Sequence, residues 1–371
     1  MRIKIIDGLR GIAVLGVLWV HIWMFSGNAS YYVLNVDVAK LISFGGTGVD
    51  LFFVISGFCM YLLNQKNITK ITIHSYISFI RKRWLRIAVA FYVAIIVYGL
   101  KSVDFNIRLF DIVEGLKYAL FLRNYFSGNT YAPHFWSIAT EWQFYLVFPI
   151  ILYAINKFSF SKAIIIVVTL CISWRLYAVL DTNSSSGLID YSLPSRLIEF
   201  TMGIIAANFY LFKQNKILTN NTLGLLIAFM VAFFGRLLMK DEIINHGTYI
   251  GIFTKVFNIP ILSIGFALMI LNLLNYKSLL SKLLESNVIQ KLGKYSYSFY
   301  LWHWIIAESI YSLIKNKLFI HPFLVLNIAF VISIIILFPI SKLSYWMFEA
   351  FYFKKEKKKI DPNIHDQLIT V

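Results

Sequence analysis

Asp7-Gly8-Leu9-Arg10-Gly11-Ile12-Ala13-Val14-Leu15-Gly16-Val17-Leu18-Trp19-Val20-His21 is an apolar run with ionisable groups near its start and at its end. Continued to Phe25, it has the roughly 17–25 mostly apolar residues that a bilayer-crossing helix needs. Arg10 and His21 are separated by about 20° beyond three full helical turns, so they share a face, roughly 16 Å apart along the axis. A cleaved secretion signal would not carry an Arg and a His in its apolar core, and no convincing small-residue cleavage site follows. The run reads as a retained membrane span.

The rest of the chain agrees. Of 371 residues, 59% are hydrophobic and only 14% charged, and the mean hydropathy is +0.70. A soluble domain carries about 25% charged residues. The fold class expected is all-α, a polytopic integral membrane protein with about ten transmembrane helices. The spans fall near Leu9–Phe25, Gly46–Leu63, Trp84–Leu100, Phe135–Ile155, Ala163–Leu180, Ser195–Phe212, Thr222–Met239, Ile250–Leu274, Ser296–Ile314 and Pro322–Phe348. Residues 1–353 form one membrane-embedded domain, and residues 354–371 a basic tail. No internal repeat and no separate soluble domain is visible.

The net charge of +17 sits in short loops between apolar spans rather than on a soluble face, which excludes nucleic acid as a partner. Lys66, Lys70, Arg81, Lys82 and Arg83 follow the second span. Lys277, Lys282, Lys291 and Lys294 precede the ninth, and Lys354, Lys355, Lys357, Lys358 and Lys359 fill the tail. The stretch from Asp181 to Pro194 has two acids and no base. With an even span count, the basic loops and both termini lie in the cytoplasm; Lys315 and Lys317 are exceptions. The tail could also bind anionic lipid headgroups. The long outer connection from Lys101 to His134 contains an apolar run, Leu116–Leu122, that reads as a half-helix or interfacial segment. Cys59 and Cys171 lie in apolar stretches as small hydrophobes, with no zinc or disulfide spacing.

Ionisable groups inside spans are costly and mark function by default. Arg10 at the cytoplasmic end suits a phosphate-bearing donor, or is a snorkelling anchor. His21, deeper in, is a candidate base, or a hydrogen-bonded packing residue. Asp50 opens the second span at a depth comparable to His21. A carboxylate on an imidazole would fix its tautomer; alternatively Asp50 caps its helix. Ser137, Glu141 and Tyr145 share a face of the fourth span at i, i+4, i+8. Glu141 could act as acid or base or bind sugar hydroxyls. The flanking aromatics, Trp136 among them, suit a sugar ring or the interfacial belt. Arg196 and Glu199 read as an i, i+3 pair. Tyr300 and His303 share a face of the ninth span and could hold a donor, relay a proton or bond two helices together.

Five segments, in order, resemble the membrane-bound acyltransferase family 3 over nearly the whole chain. The first is Arg10, ten residues, then His21. The second is Gly48-Val-Asp-Leu-Phe-Phe-Val-Ile-Ser-Gly-Phe58. The third comprises Trp136, Ser137, Glu141 and Tyr145; the fourth Arg196, Glu199, Phe200 and Gly203; the last Tyr297, Ser298, Tyr300, Leu301 and His303. The resemblance implies a ten-span domain of a bacterial plasma membrane. It takes an acyl group, usually acetyl, from cytosolic acyl-CoA and gives it to a hydroxyl of an envelope glycan. It implies no bound cofactor and no metal: acetyl-CoA or another acyl-CoA is a substrate, and the partners are the bilayer, the donor and the glycan. Some relatives carry an extracytoplasmic hydrolase-like domain after the membrane part. This chain ends soon after its last span, which suggests the single-domain branch associated with O-antigen, capsule or exopolysaccharide.

The expected mechanism has Arg10, with Arg83 and Arg86, holding CoA phosphates through planar, bidentate donation. His21 deprotonates the sugar hydroxyl or briefly carries the acyl group. Asp50 or Glu141 orients His21 or supports its charge, Ser56, Tyr145, Tyr300 and His303 stabilise the oxyanion or place the acceptor, and Ser137 belongs with the substrate-binding residues. A serine acyl-enzyme at Ser56 or Ser137 lacks a nucleophile turn. A transporter or flippase for a lipid-linked sugar would use the same charges as a pathway and would consume no thioester.

Overall fold

The computed structural model describes residues 3–65, 72–102, 111–126, 130–181, 187–212, 222–239, 248–317 and 321–350. Fourteen α-helices lie among them: α1 (Lys4–Phe25), α2 (Gly48–Asn64), α3 (Ile73–Ser102), α4 (Ile112–Ala119), α5 (Trp136–Phe158), α6 (Phe160–Leu180), α7 (Gly187–Asp190), α8 (Leu193–Leu211), α9 (Thr222–Leu237), α10 (Tyr249–Asn275), α11 (Leu279–Leu284), α12 (Asn287–Lys294), α13 (Ser296–Lys317) and α14 (Pro322–Ser344), which runs into a π-helical turn at Tyr345–Glu349. A two-residue antiparallel ladder, β1 (Tyr32–Val33) with β2 (Val36–Asp37), pairs Tyr32 with Asp37. The described residues are otherwise mostly helical, because a bilayer leaves backbone N–H and C=O groups no partner but their own helix.

Every expected span falls on a helix. Among the described residues seven segments are long and apolar enough to cross a membrane: α1, α3, α5, α6, α10, a stretch of 3₁₀ helix leading into α2, and α14 with its π turn. The helix α9 is shorter, and α8 and α13 carry more polar side chains. Leu226, Phe229 and Met230 of α9, Ile165, Ile166 and Leu170 of α6, and Val331, Ile335 and Ile336 of α14 stand exposed. A belt of large apolar side chains facing outward is what lipid contact produces. The protein is thus a polytopic membrane protein.

Two expectations shift. The third span starts at Ile73, not Trp84. Thr72 and Ser75 exchange backbone-to-side-chain bonds of 2.9 and 3.2 Å, a reciprocal cap that begins the helix early and draws Arg81, Lys82 and Arg83 into it. The basic connection before the ninth span is folded as α11 and α12, the former opened by a Ser278/Ser281 capping box. The helix α12 packs under the start of α1, with Gly293 against the Asp7 backbone and Gly11 against Ile289. Lys66, Lys70 and the tail at 354–371 lie outside the described residues.

Small residues set the close contacts. The helix α2 packs chiefly on α8. Gly57 lies against the Phe200 backbone, and Gly203 against the backbone of Val54 and Phe58. Such mutual approach is a membrane bundle's substitute for a hydrophobic driving force. It also joins the second sequence signature to the fourth. Gly235 and Gly265 do the same for α9 and α10.

A polar knot holds α6, α8 and α10 together. Pro260 lacks an N–H, so the carbonyl of Val256 one turn earlier loses its helical donor. Arg175 Nε donates to that carbonyl at 2.7 Å. The same guanidinium donates to Ser195 Oγ at 2.7 Å, to Asn258 Oδ1 at 2.8 Å and to the Lys255 carbonyl. Arg175 can be buried because each of its three side-chain nitrogens finds an acceptor. Sequence reading passed over it, since the need it meets arises on a helix eighty positions away.

Candidate active site

The last turns of α1 carry His21 against α13, whose residue His303 is fully buried. His21 Nδ1 and His303 Nε2 are 2.7 Å apart, and His303 Nδ1 is 2.6 Å from the Tyr300 carbonyl oxygen. A carbonyl only accepts, so His303 Nδ1 carries the hydrogen. A neutral imidazole has one N–H, so His303 Nε2 is bare and accepts from His21 Nδ1–H. His21 Nε2 is thereby left unprotonated, with its lone pair available. Tyr98 of α3 secures this turn of α13: its hydroxyl donates to the Leu301 carbonyl at 3.0 Å and accepts from the Ile305 N–H at 3.1 Å.

A 3₁₀ turn, Pro133–Phe135, leads into α5 and brings His134 to the same place. Its ring centroid is 4.8 Å from that of His303 and 6.4 Å from that of His21. Trp304 stacks on His134 at 5.5 Å and meets His21 edge-on at 4.8 Å. These groups border a cavity of about 290 Å³ that Asp50, Trp136, Tyr191, Arg196 and Tyr300 also line. Trp136 and Tyr191 face each other at 4.8 Å, offering flat apolar walls beside charged groups. Among the described residues no cluster of His, Cys, Asp or Glu has metal-binding geometry.

Asp50 does not orient His21. Its Oδ1 accepts from Arg196 Nη1 at 2.7 Å, and Arg196 reaches Glu199 at 3.5 Å and stacks over Trp136 at 5.0 Å. The i, i+3 pair expected of Arg196 and Glu199 is present, but its shorter bond crosses to α2. The reason is geometric: Gly57 and Gly203 press α2 and α8 together, bringing Asp50 to Arg196. The orienting partner of His21 is His303 instead.

Nor does Glu141 reach His21; it lies further along α5. Its Oε1 accepts from Tyr145 at 2.6 Å and from Ser56 Oγ at 3.0 Å, and the two hydroxyls are 3.4 Å apart. Ser137, on the same face, has its Oγ 2.7 Å from the Tyr300 hydroxyl, which donates to the His134 carbonyl at 2.7 Å. His134, Ser137, Glu141 and Tyr145 thus form a polar stripe about 16 Å long that begins on the 3₁₀ turn and continues along α5. At its far end Arg83 lies over the Tyr145 ring at 5.8 Å. Arg10, salt-bridged to Asp7 at 3.5 Å, reaches Cys59 Sγ at 3.7 Å, about one turn along α2 from Ser56. Trp304 and His134 escaped the sequence reading, although His134 opens the segment that carries Trp136 and Glu141.

A histidine pair beside a cavity thus lies inside a polytopic helical bundle, at one end of a polar stripe that has arginine at the other. The chain belongs to the family of acyltransferase domains, whose family model matches residues 3–342. A protein of Staphylococcus aureus strain COL, named provisionally as an O-acetyltransferase, is 28% identical over 337 residues, covering 83% of this chain and 51% of its own. Its counterpart in strain MSSA476 gives the same figures, 28% over 337 residues. O-acetyltransferase OatA of strain NCTC 8325 is 26% identical over 381 residues, covering 95% of this chain and 59% of its own. The chain therefore spans about half the length of the curated relatives it matches. No solved structure matches it.

Proposed function

We propose that this protein is an O-acetyltransferase of a bacterial plasma membrane, with ten spans and both termini cytoplasmic. It moves an acetyl group from cytosolic acetyl-CoA to a hydroxyl of a surface polysaccharide or its lipid-linked precursor. The names of the bacterial relatives support acetyl transfer. The observation that carries the reading is His21 at the edge of the cavity, with its Nδ1 held by His303 Nε2 at 2.7 Å so that its Nε2 is left bare.

In this reading Arg10, Arg83 and Arg86 receive the phosphates of CoA, for which a guanidinium fork is suited. The thioester arm lies along the stripe of Tyr145, Ser56, Glu141 and Ser137. The acceptor sugar rests against Trp136 and Tyr191, within reach of Asp50 and Arg196. His21 Nε2 takes the proton of the attacking hydroxyl while its Nδ1–H remains on His303, and the resulting imidazolium returns that proton to the departing sulfur.

Proton NMR of the envelope polysaccharide tests this, comparing cells with wild type, with His21→Ala and with the gene deleted, alongside thioester consumption by isolated membranes. The expectation is an acetyl ester signal and acetyl-CoA consumption with wild type only. Identical acetylation in wild type and deletion would remove polysaccharide as the acceptor. Wild-type membranes that consume no thioester would remove acyl transfer altogether.

A further inference from the structure

We propose that His134 is a further catalytic residue, the one that receives the acyl carbonyl oxygen during transfer; this rests on the acyltransferase reading above. The ring is only 3% exposed, and neither of its nitrogens has a hydrogen-bond partner among the described residues. The Leu301 carbonyl is placed to act on the ring as a hydrogen-bond acceptor, but it takes the Tyr98 hydroxyl at 3.0 Å, and no bond of normal distance and angle joins it to His134. Burying an imidazole without partners is costly, and such a group in a folded protein calls for an explanation.

Its position is not accidental. The His134 carbonyl is held by the Tyr300 hydroxyl at 2.7 Å and by Ser137 Oγ at 3.1 Å. Trp304 stacks on the ring within 7° of parallel. His134 is among the residues that line the same cavity as His21, and the two rings lie 6.4 Å apart between centroids, close enough for one acyl group to be handled between them. The two histidines differ in what they offer. His21 Nε2 is an acceptor and takes a proton; His134 brings an uncommitted N–H, whose complement is an oxygen that has no hydrogen. Of the other donors at the cavity, Arg196 bonds Asp50 through Nη1 and Tyr300 bonds the His134 carbonyl.

The step balances as follows. The acceptor oxygen adds to the thioester carbon as its proton passes to His21 Nε2. The carbonyl π pair moves onto oxygen, where the His134 N–H bonds it. The C–S bond then breaks, sulfur leaves with the bonding pair and takes the proton from His21, and the products are an ester and the free thiol. His134 keeps its proton throughout.

The test uses the full chain in lipid nanodiscs, with labelled acetyl-CoA and polysaccharide from gene-deleted cells. His134→Ala should lower kcat by about 10²–10³-fold, the loss typical of one oxyanion donor. The KM for acetyl-CoA and the shape of the pH profile should stay near wild type, because the base is untouched. His134→Gln, which keeps an N–H, should recover at least about tenfold of that loss. An Ala variant within about threefold of wild-type kcat, or a loss confined to KM, overturns the proposal. Should His134→Ala fail to accumulate, His134→Gln is compared with His134→Met, of similar size without a donor; equal activities overturn it. Wild type that transfers nothing overturns the acyltransferase reading and this proposal with it, whereas transfer indifferent to His134 overturns this proposal alone.

Discussion

His21 Nδ1 donates to His303 Nε2 across 2.7 Å, and that single bond decides which nitrogen of His21 is free. The direction of the bond is imposed from the Tyr300 carbonyl, 2.6 Å from His303 Nδ1. A main-chain carbonyl on a rigid helix cannot reverse its role, so the tautomer is set by backbone rather than by a carboxylate. His303→Leu should therefore cost about 10²-fold or more in acetyl transfer, since a misassigned tautomer disables a histidine base even when the geometry survives. His303→Gln, whose amide oxygen can still accept from His21, should retain more. Equal losses in the two variants, measured as acetyl groups per polysaccharide repeat, would show that His303 acts only by shape.

Arg196 stands between two buried carboxylates, Asp50 at 2.7 Å and Glu199 at 3.5 Å, and the two sides are unequal. Arg196→Met leaves both acids buried without their cation, and loss of a buried partner costs about 3–5 kcal/mol. Asp50→Asn leaves the arginine with Glu199 and the Asp190 carbonyl, so a smaller loss, about 1–2 kcal/mol, is expected. Thermal unfolding in detergent should rank Arg196→Met well below Asp50→Asn. The reverse order would mean that the ion pair does not organise α2 and α8.

Gly57 and Gly203 should not accept a side chain. A Cβ at either would collide with main-chain atoms of the facing helix, Phe200 and Val54 respectively. Backbone cannot swing aside as a side-chain tip can, so Gly57→Ala and Gly203→Ala should each reduce the amount of folded protein in membranes. Gly46→Ala is the control, because a Cβ there meets nothing within 4 Å. Size-exclusion profiles of the three solubilised variants check this; a wild-type profile for Gly57→Ala would contradict the packing.

Arg175 donates to the Val256 carbonyl that Pro260 leaves without a helical donor. Arg175→Met should strand that carbonyl and those around it, costing about 2–4 kcal/mol for groups left unpaired in a buried site. Adding Pro260→Ala should restore part of the loss, since alanine returns the N–H that Val256 lacks. Full additivity of the two substitutions in thermal unfolding would show that the proline and the arginine are unconnected.

The sequence by itself determined the class of fold. Hydropathy without interruption leaves helices as the structural option, and each expected span lies on one. It also singled out most of the polar residues that the structure gathers at the candidate site, because an Arg, His or Glu in an apolar run stands out wherever it is. Arg10 and His21 on one face, Ser137, Glu141 and Tyr145 on another, and Tyr300 with His303 follow from helical periodicity alone, which is local.

The pairing between helices was not local, and only the tertiary structure decided it. The sequence allowed Asp50 or Glu141 to hold His21. The bundle sends Asp50 to Arg196, because Gly57 and Gly203 bring those helices together, and sends Glu141 to Ser56 and Tyr145 further along. It gives His21 to His303, a residue 282 positions away, and sets His134 beside them with no hydrogen-bond partner for its ring nitrogens among the described residues. A side chain's depth can be counted in residues along its own helix. Its partner depends on how neighbouring helices rotate and slide, which is fixed by shape complementarity summed over the whole interface and written in no single segment.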